Sequence, residues 1–430
     1  MKVLVISHNP ITTYQSMGKT FRSLFSEFKK DELCQFYIYP SLPDVDACNS
    51  YYRITDRNIF DSYTHFGKVN GRELSSKDID TSKHNFYENE KEESFINVKK
   101  TAIKTLLRDI MWRFSRWNNE QLRSWIQREK PTCIFFAGGE SKFIYNIAMQ
   151  IALQYSLPIA IYICDEFYFL EDPVSFTSKI HFWFLKKKIE KLIGISKLLV
   201  TISEELNNAY SSHFQKRAVT IYTGSSRFAQ SAFSPVESVV KGFYYFGNLA
   251  FGRFDSLEKI GRCLELINEE QNQECRLYIY TRTLSDSEKE RIQNSKAIVY
   301  CGYVTGKDYE KAYADADILV HVESFREKDM QRVKNSISTK IADALGSGKP
   351  MLAYGPDSIS SIKYLAKEHA ACVVSDERSL LNSIKAMLNK EYRERLVSQA
   401  LQAAMKNHNS SNNSRLLYKE LQRISDYKQD

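Results

Sequence analysis

Residues 336–356 read SISTKIADALGSGKPMLAYGP, and the fold follows from that stretch. Polar residues open it, apolar positions at helical spacing follow (Ile341, Ala344, Leu345), Gly346 and Gly348 end the helix, and Met351 to Tyr354 read as a buried strand. A helix handed straight to a strand is the building step of an α/β sheet. Ser338 and Thr339 are N-cap residue types, so the amides of the first turn are placed to hold an anion such as a diphosphate. Lys340 adds a cation at the same place. Asp343 lies three residues further on, where a carboxylate can accept hydrogen bonds from the two hydroxyls of a ribose. The same letters also fit a capped surface helix packed on a sheet.

Working outward, the stretch resembles the donor-site helix of the retaining nucleotide-sugar glycosyltransferases of the GT-B fold, the family-four type or group 1. Their usual form is Glu-x7-Glu followed by Ala-x-x-x-Gly-x-Pro-x-x-Ala, and GSGKPMLA sets the register. Asp343 then takes the place of the second Glu, which in the family holds the donor ribose. The first Glu falls on Asn335, which cannot supply the family's charge near the transferred sugar. A subgroup of bacterial polysaccharide enzymes with Ser-Thr-Lys ahead of the helix is closer. The resemblance implies an α/β protein of two doubly wound Rossmann-like domains facing across a cleft.

The same family pattern places further residues. In GFYYFGNLAFGRFDSLEKI a family Lys that grips the donor diphosphate falls on Arg253, counted six residues from Gly247, and a family Arg falls on Asn248. A guanidinium can bind two phosphate oxygens at once, so the chemistry is kept. Arg282 ends the next strand, and Tyr303 and Val304 follow Gly302 where relatives hold the nucleobase through backbone groups. Glu323 and Ser324 stand where relatives carry Pro-Ser, and the loop FREKDMQRVK beyond them is longer and more basic than usual. Near the N-terminus, relatives have a Gly pair that lets backbone approach the phosphates; here only Gly18 remains. The donor set is thus Gly18, Gly247, Asn248, Arg253, Arg282, Tyr303, Val304, Ser338, Thr339, Lys340 and Asp343.

The first half is read mainly from its own pattern. KVLVIS, CQFYIYP, TCIFFAGGE, LPIAIYICDEF and KLLVTIS are strand-like, separated by helical stretches, with His8 and Asn9 at the first strand's C-terminal end, the rim where ligands gather in such sheets. Asp165 follows the strand ending at Cys164 and is an active-site carboxylate or a helix cap; Arg253 and Lys340 complete the catalytic candidates. Residues 43–93 are polar and poorly periodic, a variable insertion on the acceptor side or a mobile loop region. Residues 99–130 hold nine Lys or Arg against three acids, with Trp112, Trp117 and Trp125 interleaved, and 179–197 repeat the theme around Trp183. Tryptophan with cations suits a helix at an anionic lipid surface, and with two such segments in one half of the chain both are read that way, over aromatics facing the core with solvated lysines.

Composition bounds the rest. A chain of 430 residues with 43% apolar content carries two or three full cores, and eight scattered Cys without C-x-x-C spacing are core thiols rather than a zinc site. The net charge of +8 suits an anionic substrate or membrane surface, and no nucleic-acid motif appears. The domain expectation is 1–225 on the acceptor side, a linker at 226–241, a donor domain at 242–407, and a C-terminal helix in 408–430 crossing back. The function expected is metal-independent, cofactor-free transfer from a nucleotide diphosphate sugar, UDP-linked, to a lipid-linked or growing glycan, by a cytoplasmic enzyme peripheral on the inner membrane face. A binding subunit without activity and a sugar-nucleotide epimerase are the alternatives.

Overall fold

The computed structural model describes residues 1–13, 16–44, 46–64, 71–75, 78–79, 102–170, 176–227, 239–282 and 284–426. It divides into two compact units, Met1–Thr223 with the segment from Ser410 onward, and Gly224–Asn409. Most strands of both sheets read as continuous apolar runs because each parallel sheet is covered on its faces by helices.

Unit 1 has eight strands: β1 (Val3–Ser7), β2 (Leu33–Tyr37), β3 (Ser50–Arg53), β4 (Arg72–Ser75), β5 (Cys133–Ala137), β6 (Ile159–Ile163), β7 (Leu198–Thr201) and β8 (Ala218–Thr220). Their order is β4-β3-β2-β1-β5-β6-β7-β8, parallel throughout except for β4 against β3. The strand order reverses between β1 and β5. The final helix, Ser410–Asp426, buries Leu417, Leu421 and Ile424 in one core of this unit with Val3, Phe21 and Phe135.

Two readings of this half are corrected. The stretch 43–93 is not an unstructured insertion where it is described: β3, β4 and the helix Asp56–Thr64 lie in it, and Tyr51 and Tyr52 are buried. Nor do the tryptophans of 99–130 face outward. Trp112 is stacked on Phe143 at 4.4 Å, its indole Nε1 donating to Asp56 at 2.7 Å, while Trp125 donates to Ser50 Oγ at 2.6 Å. Trp117 is buried as well, so Trp183 alone of the four is exposed, at 57%. Burying one such ring removes roughly 150–250 Å² from water, on the order of 4–6 kcal/mol, and the core wins over a lipid interface for three of the four.

Unit 2 has six parallel strands, β9 (Gly242–Phe246), β10 (Arg276–Tyr280), β11 (Ile298–Tyr300), β12 (Ile318–Val322), β13 (Met351–Tyr354) and β14 (Cys372–Val374), in the order β11-β10-β9-β12-β13-β14. This is the doubly wound arrangement, with its switch point between β9 and β12, and ligands of such sheets sit outside the strand ends there. The opening stretch folds as read: helix Thr339–Leu345, then β13. Asp315 caps the preceding helix and Asp317 accepts the Lys241 and Gly242 amides, so that acidic pair is structural.

Candidate active site

Three segments meet at the switch point of unit 2. β9 delivers Gly247 and Asn248, β12 delivers Glu323, and the helix Thr339–Leu345 delivers Lys340. The turn after β9 ends at Gly252, whose φ of +67 is a left-handed conformation that side chains avoid, and the helix Arg253–Gln271 starts at the next residue. Arg253 Nη1 donates to Asn248 Oδ1 at 3.0 Å, and Arg253 Nε and Nη2 donate to the Glu323 carboxylate at 3.1 and 3.2 Å. A Cβ on Gly247 would stand 2.9 Å from Lys340 Nζ, so the missing side chain is what lets the ammonium lie against the β9 turn. Arg253 and Lys340 thus share one small volume with one buried acid.

That acid and its neighbour are electrostatically strained. Burial raises the Glu323 pKa while Arg253 and Lys340 pull it back. His321, whose Nε2 lies 3.1 Å from Ser361 Oγ, is pushed down to about 3, by burial first and then by Arg253 and Lys340. It is therefore neutral at ordinary pH and adds no third charge.

Asp343 lies further along the same short helix. Its Oδ1 accepts from Ser226 N at 2.7 Å, Ser226 Oγ at 2.9 Å and Ser225 Oγ at 3.3 Å. Gly346 permits this, since a Cβ there would meet Ser225 Oγ at 2.6 Å. The next residue, Arg227, stacks on Tyr313 at 3.7 Å and pairs with Glu310 at 2.9 Å. Ser338 takes the N-cap position without a side-chain bond to the helix. The guanidinium of Arg282 lies over the exposed Tyr303 ring at 4.4 Å, next to Val304 and the left-handed Gly302, which makes a flat platform beyond β11.

In unit 1 the corresponding rim is self-paired. His8 follows β1, and its Nε2 lies 3.3 Å from Arg108 Nη2. Arg108 also donates to Asp56 at 2.9 Å and Ser141 Oγ at 2.9 Å. Lys142 bonds Asp109 at 2.8 Å and lies 3.1 Å from His181 Nδ1. Asp165 stands beyond β6 with its tip exposed, beside an apolar cavity lined by Gly138, Tyr145, Ile163 and Tyr210. Partial desolvation and Glu140 raise its pKa, against a weak contact from the Cys164 thiol that lowers it. Its neighbour Glu166 is buried and accepts from Tyr168 N, Phe169 N and Tyr210 OH, which makes it a loop anchor. Gly18 lies in the first turn of the helix Ser16–Leu24, packed on Thr12, so the space a side chain would take is filled by protein.

Residues 262–418 match a family model described as "Glycosyl transferase-like". Among solved structures, an α,α-trehalose-phosphate synthase (UDP-forming) from Burkholderia vietnamiensis is similar with a TM-score of 0.62 at 10% identity, over 98% of this chain and 100% of that one. The fold of the whole chain is thus that of the GT-B enzymes, and its residues 262–418 carry a glycosyl transferase-like domain. A trehalose-6-phosphate structure from E. coli bound with UDP-2-fluoro glucose gives 0.60 at 9%, over 98% and 99% of the two chains. S. aureus TarM in complex with fondaparinux, α-GlcNAc-glycerol and UDP gives 0.51 at 13%, over 69% of this chain and 57% of that one. No curated protein matches the sequence.

The structure brings Gly247, Asn248, Arg253 and Lys340 together, and likewise Arg282 with Tyr303. Gly18 and Asp165 belong to unit 1 and are held in separate surroundings there. Glu323 and His321 were not foreseen as site residues. The one available signal was Glu323 itself, an acid directly after a buried strand in place of the relatives' Pro.

Proposed function

We propose that this protein is a glycosyltransferase that moves a sugar from a nucleoside diphosphate sugar, UDP-linked, to a lipid-linked or growing glycan of a bacterial surface polysaccharide, with retention and without a metal. The observation that carries the donor half is the convergence of Arg253 and Lys340 beside Gly247 at the switch point of unit 2. Cations held there before reaction stabilise the diphosphate as it leaves, the step at which charge develops. Asp343 Oδ2 receives the ribose hydroxyls, and the Arg282–Tyr303 platform with the backbone at Val304 receives the base. A departing β-phosphate oxygen then takes the acceptor proton. That route dispenses with the family's first Glu, in agreement with Asn335. Asp165, with its raised pKa, orients the acceptor hydroxyl. The neighbours that carry UDP or UDP-2-fluoro glucose support the choice of nucleotide.

The acceptor half rests on surface chemistry. The helix Ala102–Phe114 exposes Leu107, Ile110 and Phe114 at 60%, 53% and 71%, a single stripe at helical spacing. Trp183 and Phe184 are exposed on the helix Phe176–Ile195, and the pKa of Lys188 is lowered by burial first and then by Lys191 and Arg113, cations of this helix and of the helix Ala102–Phe114. Apolar side chains among clustered cations fit an anionic bilayer, on which the protein is peripheral. Among the described residues no helix is long and apolar enough to cross a membrane.

Thermal unfolding with UDP, GDP, CDP and ADP tests the donor half: UDP raises the midpoint, and Arg253→Ala and Asp343→Ala lose that rise. No rise with any nucleotide sinks it. Flotation with phosphatidylglycerol vesicles tests the surface, where the triple change of Leu107, Ile110 and Phe114 to Ser abolishes binding. Undiminished flotation would remove the membrane from the account.

A further inference from the structure

Two departures from the family pattern meet in space. Arg253 stands where relatives place a Lys, and Glu323 where they carry Pro. The Glu323 side chain is 3% exposed, and a buried carboxylate persists only when paired and hydrogen-bonded. Its partner is Arg253, engaged through Nε at 3.1 Å and Nη2 at 3.2 Å, the two-point fork that a guanidinium can make and an ammonium cannot. Ser256 Oγ donates to the Glu323 carbonyl at 2.7 Å and fixes its backbone. His321 Nε2, at 3.5 Å from Glu323 Oε1, stays neutral and does not compete for the acid.

The guanidinium has five N–H bonds. Two go to Glu323 and one to Asn248, which leaves two on the Nη edge, where Lys340 also converges. We propose that Glu323 is a positioning residue which clamps Arg253 so that its remaining N–H bonds face the donor diphosphate, Arg253 and Glu323 acting as one coupled replacement for the family's lone Lys. The proposal rests on the donor-site reading above and names what gives that site its phosphate geometry. A Lys needs no clamp, because its charge is a point. A planar fork does, because only one of its edges can meet the phosphates.

The sign of one change separates a clamp from a plain charge. If Glu323 served only to offset the two cations, its loss would raise the local positive potential and tighten UDP. If it clamps, its loss frees the guanidinium and weakens UDP. UDP and uridine are titrated into wild type, Glu323→Gln, Arg253→Lys and the double variant, with Glu323→Asp as a check on charge without reach. The clamp predicts that Glu323→Gln weakens UDP tenfold or more, leaves uridine within twofold, and changes UDP by less than twofold when it is made on top of Arg253→Lys. Tighter or unchanged UDP in Glu323→Gln overturns it, as does an equal loss for UDP and uridine, which marks general damage to the fold. Equal effects of Glu323→Gln in the wild-type and Arg253→Lys backgrounds overturn the coupling. Should wild type bind no nucleotide, the donor reading itself falls, whereas wild-type binding with an unaffected Glu323→Gln removes the clamp alone.

Discussion

The two sheets of this protein end in different chemistry at their switch points. Beyond β1 and β5 the cations described each have an acid partner on their own unit, Arg108 with Asp56 and Lys142 with Asp109. Beyond β9 and β12 two cations, Arg253 and Lys340, share one buried acid. A rim that balances itself asks for a neutral, hydroxyl-bearing ligand, whose recognition rests on shape and hydrogen bonds. A rim with a surplus of positive charge asks for an anion. The contrast supports the proposed placing of the diphosphate on unit 2 and of the acceptor on unit 1 without reference to any relative.

The contrast breaks most visibly in unit 2. Arg253→Ala should lower transfer by about 10²–10³, the range for removal of a group that stabilises developing charge, and Asp343→Ala should raise KM for the donor by removing the ribose contact. Arg108→Ala should leave the UDP-induced rise in unfolding midpoint intact, and loss of that rise would mean that the two rims do not divide the substrates. Asp165→Asn should lower kcat/KM for the acceptor by about 10²-fold, the scale of a misplaced reacting group, with UDP binding unchanged. Because its pKa is raised by burial, the acid limb of the wild-type profile should lie on the high side of an ordinary aspartate and vanish in the variant. Gly247→Ala crowds Lys340 and the Tyr245 hydroxyl, both within 3 Å of the added carbon, and should weaken UDP about tenfold, about 1.4 kcal/mol.

The smallest effect concerns stability. His321 has a folded pKa of about 3 against about 6.5 in an unfolded chain, so between those values the unfolded state binds a proton that the folded state refuses. Stability is then full above about pH 6.5 and falls as pH drops, by about 1.4 kcal/mol per pH unit for one proton. Urea unfolding of His321→Asn across pH 4–7 should show a shallower slope than wild type. An identical slope would mean that neither burial nor the two cations hold the histidine neutral.

How much could be read beforehand depended on how local the signal was. Asp343, Lys340, Gly247 and Arg253 sit in short motifs with fixed spacing, and the sequence alone aligned them with a donor site. Glu323 and His321 owe their role to the packing of β12 beside β9, seventy residues away in the case of the Arg253–Glu323 pair, and no local pattern encodes it. β3 and β4 are four residues each at the sheet's edge, too short for alternation to show. The tryptophan misreading has a plainer cause. Trp112 and Leu107 lie on one helix, five residues apart, and composition counts both without knowing which way the helix faces. Only Leu107 is turned out.

One feature of the fold reaches beyond catalysis to synthesis. Unit 2 is one unbroken stretch, but the core of unit 1 takes Leu417, Leu421 and Ile424 from the far side of that stretch. A ribosome therefore releases the first 223 residues with an apolar groove still uncovered, and finishes unit 2 before the segment that fills it emerges. At roughly 5–20 residues per second that interval lasts on the order of ten seconds or more, during which the nascent chain offers its groove to chaperones or to other nascent chains. Unit 2 can be complete in the cell while unit 1 is still waiting for its last helix.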